Sequence, residues 1–176
     1  MLAVRAVRGG LGANPIEAAT HWTGLWALRL LLAALAVTPL RRLFGWHGLV
    51  VHRRTLGLAA FAYATAHLAI WAILDLGLDG RAILEDVGER PYVTVGLSAY
   101  LLLVPLAITS TRGWMRRLGR RWVRLHRLAY VAAGLAILHY GWLVKLDLRP
   151  PLAYAAVLAL LLAARGPLPR LRRASR

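Results

Sequence analysis

Apolar residues along the chain collect into five runs, separated by polar stretches that mostly carry arginine. The first extends from Trp22 to Pro39 and is interrupted only by Arg29. The second is Thr55 to Leu74, with one histidine and no formal charge. The third is Tyr92 to Thr109. The fourth is Leu128 to Val144, with its start expected one or two turns earlier, near Trp122. The fifth is Pro151 to Ala164. A helix needs about 20 apolar residues to cross a ~30 Å hydrocarbon core, with a range of about 17–25. Runs two to four meet this, the first is adequate and the fifth is marginal. The pattern predicts an all-α membrane protein, a bundle of five transmembrane helices. Residues 21–165 form its single membrane domain, with an outer segment at residues 1–20 and a basic tail at residues 166–176.

Composition supports a membrane chain. The hydrophobic share is 59%, above the roughly half that is usual for a soluble domain. The chain has no cysteine, which excludes iron–sulfur clusters, zinc knuckles, disulfides and covalently attached haem. Any metal must rely on histidine, methionine or carboxylates. The formal net charge is +16, and its distribution sets the orientation. The stretches between runs one and two, between runs three and four, and after run five carry sixteen arginines and no acid. All seven acids lie on the opposite side: Glu17, Asp75, Asp79, Glu85, Asp86, Glu89 and Asp147. Positive loops stay in the cytoplasm. The arginine side, including the C-terminus, is therefore expected to be cytoplasmic and the acidic side to face outward. On this reading the arginines are not a nucleic-acid footprint. The stretch from residue 75 to 90 reads as an outer loop rich in acids, and no internal repeat is evident. Met1 to Val7 read as the tail of a helix whose beginning is absent.

Three histidines fall at membrane depth. His67 lies 13 residues past Arg54 and His139 lies 12 residues past Arg127, so the two stand toward the outer side at matched height. Ionisable groups at such depth are costly and usually functional, although a single one also serves as an interhelical bond. Opposed imidazoles from two helices can take both axial positions of a haem iron. His126 lies 13 residues before His139, about 20 Å lower at ~1.5 Å per residue. That spacing suits two stacked redox sites. The azimuths differ by about 220°, which requires either a distortion, permitted at Gly134, or haems at different angles. Gly57, Gly96, Gly134 and Gly141 read as places of close helix or macrocycle approach. Arg29 either snorkels outward or pairs with a haem propionate. Arg53 shares nearly the same face as His67. The arginine pairs suit anionic membrane lipid, or propionates and a flavin phosphate. Trp71, Trp114, Trp122, Trp142, Tyr92 and Tyr140 sit at run ends as interfacial anchors. The chain carries no HExxH, P-loop or Rossmann glycine pattern. A haem-bearing chain of this kind must receive its electrons from elsewhere.

Several stretches carry a family resemblance: GGLGANP (9–15), THWTG (20–24), AVTPLRR (36–42), RRTLGL (53–58), AHL (66–68), RPYVTVG (90–96), TSTR (109–112), RRLGRRWVRLHRLAY (116–130) and LHYGWLVK (138–145). Together they resemble the MsrQ (YedZ) family of haem-binding membrane subunits, within the ferric-reductase-like transmembrane superfamily. The resemblance implies a haem b electron-transfer subunit of an oxidoreductase complex, not the catalytic subunit, in the bacterial inner membrane. Electrons would come from the quinone pool or a cytosolic flavin reductase and go to a periplasmic molybdopterin partner, MsrP, which repairs methionine sulfoxide in oxidised proteins. FMN binding is attributed to the family. Its haem-ligand histidines fall on His67, His126 and His139. Related oxidases carry a fourth histidine where this chain has Arg53, which implies an incomplete ligand set opposite His126. The family also has a further helix before the GGLG loop, so the expectation here is a start set too late or a shortened chain. The competing readings are a free-standing ferric or quinone reductase, and a non-redox scaffold or transporter whose histidines only bridge helices.

Overall fold

The computed structural model describes residues 14–144 and 147–165, and these residues are helical with no strand among them. The expectations for residues 1–13 and for the tail at 166–176 lie outside the described residues. The first helix, α1 (Pro15–Phe44), outruns its apolar core at both ends. Asn14 starts it by accepting the Glu17 amide at 3.2 Å, and Pro15 supplies a ready-made first-turn φ. Gly45 ends it at φ 70°, a left-handed turn that a β-carbon would oppose, with its N–H on the Arg41 carbonyl. After a 3-10 turn (His47–Val51) comes α2 (His52–Ala69), which continues directly into a π-helical turn (Ile70–Asp75).

The acid-rich stretch is not the open loop its charges suggest. Asp79 caps a helix, α3 (Gly80–Glu89), by accepting the Arg81 amide at 2.9 Å. Arg81 then pairs with Glu85 across one turn at 2.9 Å. The third apolar run is α4 (Pro91–Ile108). Two short helices follow at the arginine end, α5 (Arg112–Leu118) and α6 (Arg120–Leu125), parted by Gly119 at φ 48°. The fourth run is α7 (Leu128–Leu143) and the fifth is α8 (Arg149–Ala163). The expected early start near Trp122 is present as α6, but the backbone breaks at His126 and Arg127. The distortion lies there, whereas α7 passes through Gly134 without interruption.

Among the described residues three helical segments are long and apolar enough to span a bilayer unaided: α1, α2 with its flanking turns, and α4. At 16 and 15 residues, α7 and α8 reach only about 24 and 22 Å, and they run beside the longer helices. α1 packs mainly on α2 and α4 on α7, while α8 closes against α7 and α1. Leu28, Leu31, Leu32 and Leu35 form one face of α1 and meet Ala60, Ala133, Ile137 and Leu158 in the core. Ala60 and Ala133 are fully buried; such small residues let helices approach closely where lipid removes the hydrophobic driving force. Many large apolar side chains point outward, among them Leu101, Val131, Leu152 and Leu160. That surface suits a hydrocarbon surrounding.

Candidate functional site

A cavity of about 390 Å³ opens between α1, α2, α4 and α7 toward the acidic end of the bundle, within the usual size range of ligand pockets. His67 from α2 and His139 from α7 line it together, with ring centres 6.0 Å apart and planes at 81°. The matched height read from the sequence thus corresponds to adjacent rings. His67 Nδ1 donates to the Thr20 carbonyl of α1 at 2.9 Å. His139 Nδ1 donates to the Tyr92 carbonyl of α4 at 2.7 Å. With the proton held on Nδ1, each ring keeps a lone pair on Nε2, the arrangement that orients metal-binding imidazoles.

This donor set fits a haem iron. Imidazole–metal bonds are about 2 Å long, so two rings sharing one ion have centres roughly 6 Å apart. Among the described residues no group of three or more His, Cys, Asp or Glu side chains is placed to hold a metal ion. His67 and His139 would hold the iron, and a macrocycle would complete its ligand set.

Each histidine also rests on a glycine of the neighbouring helix. A methyl group added at Gly24 would lie 3.0 Å from His67 Nδ1, and one at Gly96 would lie 2.7 Å from His139 Nδ1. The two halves repeat. Adding 72 to Thr20, Gly24 and His67 gives Tyr92, Gly96 and His139. No repeat is evident in the sequence because the identities differ at most other positions. The readable signal was the shared spacing within THWTG and RPYVTVG, each ending in a glycine four residues past the accepting carbonyl. Of the four glycines expected to permit close approach, Gly96 touches a histidine. Gly57 and Gly134 face open space, and Gly141 makes ordinary contact with Pro151. Gly24 was missed.

The mouth of the cavity carries Glu17, His21, Asp75, Asp86 and Arg90. Asp86 is engaged inward: it accepts Trp71 Nε1 at 3.1 Å and pairs with Arg90 Nε at 3.0 Å. This ties α3 to the π-helical turn that follows His67. The neighbouring Tyr92 hydroxyl, then Asp86, hold the exposed Arg90 guanidinium above its ordinary range.

His126 is placed elsewhere. It lies in the turn between α6 and α7, stacked on Trp122 with ring centres 3.8 Å apart. Thr109 Oγ1 already donates to the Pro105 carbonyl at 2.6 Å, so it accepts His126 Nε2–H at 3.1 Å. Trp122 Nε1 donates to the Thr109 carbonyl at 2.9 Å. Arg53 is the charged neighbour of His126, and burial followed by Arg53 holds this imidazole down to about 4. Among the described residues its ring partners are Thr109 and Trp122, with no second histidine bonded to it or stacked on it. Arg29 does not line the cavity; its Nε donates to the Tyr154 hydroxyl of α8 at 2.8 Å. Two expected interfacial anchors, Trp71 and Trp122, therefore have specific bonding roles.

Residues 23–137 match the family described as ferric reductase like transmembrane component. A curated relative from Xanthomonas campestris pv. campestris (strain 8004), a protein-methionine-sulfoxide reductase heme-binding subunit MsrQ, is 59% identical over 86% of this chain and 70% of that protein. A Rhodospirillum rubrum protein with the same description is 54% identical over 98% of this chain and 84% of its own length. The chain belongs to the MsrQ family of ferric-reductase-like transmembrane proteins. No solved structure matches it.

Proposed function

We propose that the chain is a haem b electron-transfer subunit that carries electrons across the bacterial inner membrane toward a periplasmic methionine-sulfoxide reductase. The observation that supports this most is the facing His67 and His139 pair, each with Nδ1 tied to a backbone carbonyl and Nε2 left free. Bound there, haem supplies one-electron chemistry. The chain's own residues fix both imidazole tautomers, surround the site with apolar walls and leave an opening on the acidic side. The periplasmic partner is the molybdopterin subunit MsrP, and the donor is the quinone pool or a cytosolic flavin reductase. The C-terminus is cytoplasmic.

His126 and Arg53 mark a second, weaker position at the arginine end. Its single imidazole suits an incomplete haem ligand set or FMN, whose phosphate the neighbouring arginines would bind. Arg29 remains a candidate for propionate contact through its Nη groups, since only Nε is bonded to Tyr154.

The test is the visible spectrum of the purified chain, with haem per protein measured in His67→Ala, His139→Ala and His126→Ala. A Soret band that shifts on dithionite addition is expected. It should be abolished or strongly reduced by the first two substitutions and largely kept in the third. A folded but colourless preparation would leave the scaffold reading. Loss of all haem from His126→Ala alone would move the site to the other end.

A further inference from the structure

We infer that Gly24 and Gly96 are positioning residues for the imidazoles of His67 and His139: each lets one ring lie against its backbone and, with the carbonyl four residues earlier, sets that ring's orientation. The inference rests on the haem reading above and adds what holds the ligands at right angles.

The contacts are between ring and glycine, and a side chain would crowd both rings, His139 more than His67. At Gly96 an added β-carbon would stand 2.7, 2.9 and 3.1 Å from Nδ1, Cε1 and Cγ of His139. At Gly24 it would stand 3.0 and 3.1 Å from Nδ1 and Cε1 of His67. A ring that steps back strains the bond between Nδ1 and the carbonyl of Tyr92 or Thr20. A methyl group would have to turn the ring, stretch its backbone bond or separate the helices. The first two change the electron density the imidazole gives to a metal.

Repetition separates this role from ordinary helix packing. The carbonyl, glycine and histidine recur with the same spacings in the α1–α2 pair and the α4–α7 pair. Gly57 and Gly134 lie on the histidine-bearing helices, yet nothing stands within 4 Å of where their β-carbons would be. Glycine is therefore tight where a neighbouring helix lays an imidazole against it, and loose at Gly57 and Gly134 on the histidine-bearing helices.

The experiment compares full-length protein carrying Gly24→Ala, Gly96→Ala, Gly57→Ala or Gly134→Ala, read by haem content, low-temperature electron paramagnetic resonance of the oxidised form, and midpoint potential. Axial planes at 81° should give wild type a strongly anisotropic low-spin signal. Gly96→Ala should shift that signal and the potential most, with Gly24→Ala next and the two controls matching wild type. A wild-type signal typical of parallel imidazoles would overturn the inference. So would Gly24→Ala and Gly96→Ala spectra indistinguishable from the controls while His67→Ala and His139→Ala still lose haem. If Gly96→Ala does not fold, the less crowded Gly24→Ala decides, and an unchanged signal in it counts against the inference. If wild type itself binds no haem, the functional reading falls first.

Discussion

Replacing Arg165 with methionine uncovers a gap in α1 that the helix cannot close by itself. Pro39 has no N–H, so the carbonyl of Leu35, four residues earlier, has no helical partner. Leu35 is only 3% exposed, and Arg165, just beyond α8, reaches across to donate its Nη2 to that carbonyl. The guanidinium also stacks over Tyr130 at 4.7 Å, and Arg42 Nη1 donates back to the Arg165 carbonyl at 3.0 Å. Methionine keeps the apolar stem but removes the donor. Stranding a buried carbonyl costs about 1–3 kcal/mol, and losing the cation–π contact costs roughly 0.5–2 kcal/mol. Against this, burial, Arg53 and Arg42 hold Arg165 down to about 10, and its Nε is buried without a partner. Relief of that cationic crowding offsets part of the loss, leaving a net destabilisation of about 1–3 kcal/mol. The assay is thermal unfolding in detergent of Arg165→Met, Pro39→Ala and the double variant. Alanine at 39 restores the missing N–H, so Arg165→Met should cost about 1–2 kcal/mol less in that background, the share of the loss due to the carbonyl. Strict additivity, within about 0.5 kcal/mol, would refute the view that Arg165 substitutes for the amide Pro39 lacks.

Acid should weaken the arginine end through His126. Its folded pKa of about 4 lies below the ordinary 6.5, so the unfolded chain takes the proton first. The stabilisation is complete above about pH 6.5 and is lost as pH falls toward 4. Thermal midpoints measured between pH 7.5 and 4.5 should fall more steeply in wild type than in His126→Gln; equal slopes would rule the residue out. Asp86→Ala should free the Trp71 indole and Arg90 and loosen α3, costing about 1–2 kcal/mol given how exposed Arg90 is. A red shift of tryptophan emission and faster proteolysis between residues 76 and 90 are the expected signs, and unchanged proteolysis counts against the tether. Reporter fusions after Arg81 and after Arg170 should report outside and inside respectively, and the reverse would invert the orientation.

The apolar runs were legible because lipid is a uniform solvent: a span must be apolar whatever it packs against. The same argument gave the common depth of His67 and His139, since helical rise is fixed. What failed depended on neighbours. Counting acids made residues 75–90 look like loop, although Asp79 as a cap and Arg81 with Glu85 one turn apart are helix signals. Depth placed His126 but could not show its surroundings: its bond to Thr109 and its stack on Trp122 lie where α6 breaks from α7. Gly24 is one glycine among 16, and only the position of His67 sets it apart.

The duplicated arrangement also imposes an order of events during synthesis. His139 leaves the ribosome 72 residues after His67, roughly 4–15 seconds later at bacterial elongation rates. Through that interval the α1–α2 hairpin can enter the membrane with its carbonyl, glycine and imidazole already set but with no opposing ring. The site cannot template its own second half. A cofactor that needs both rings would be held only once α7 stands beside α2.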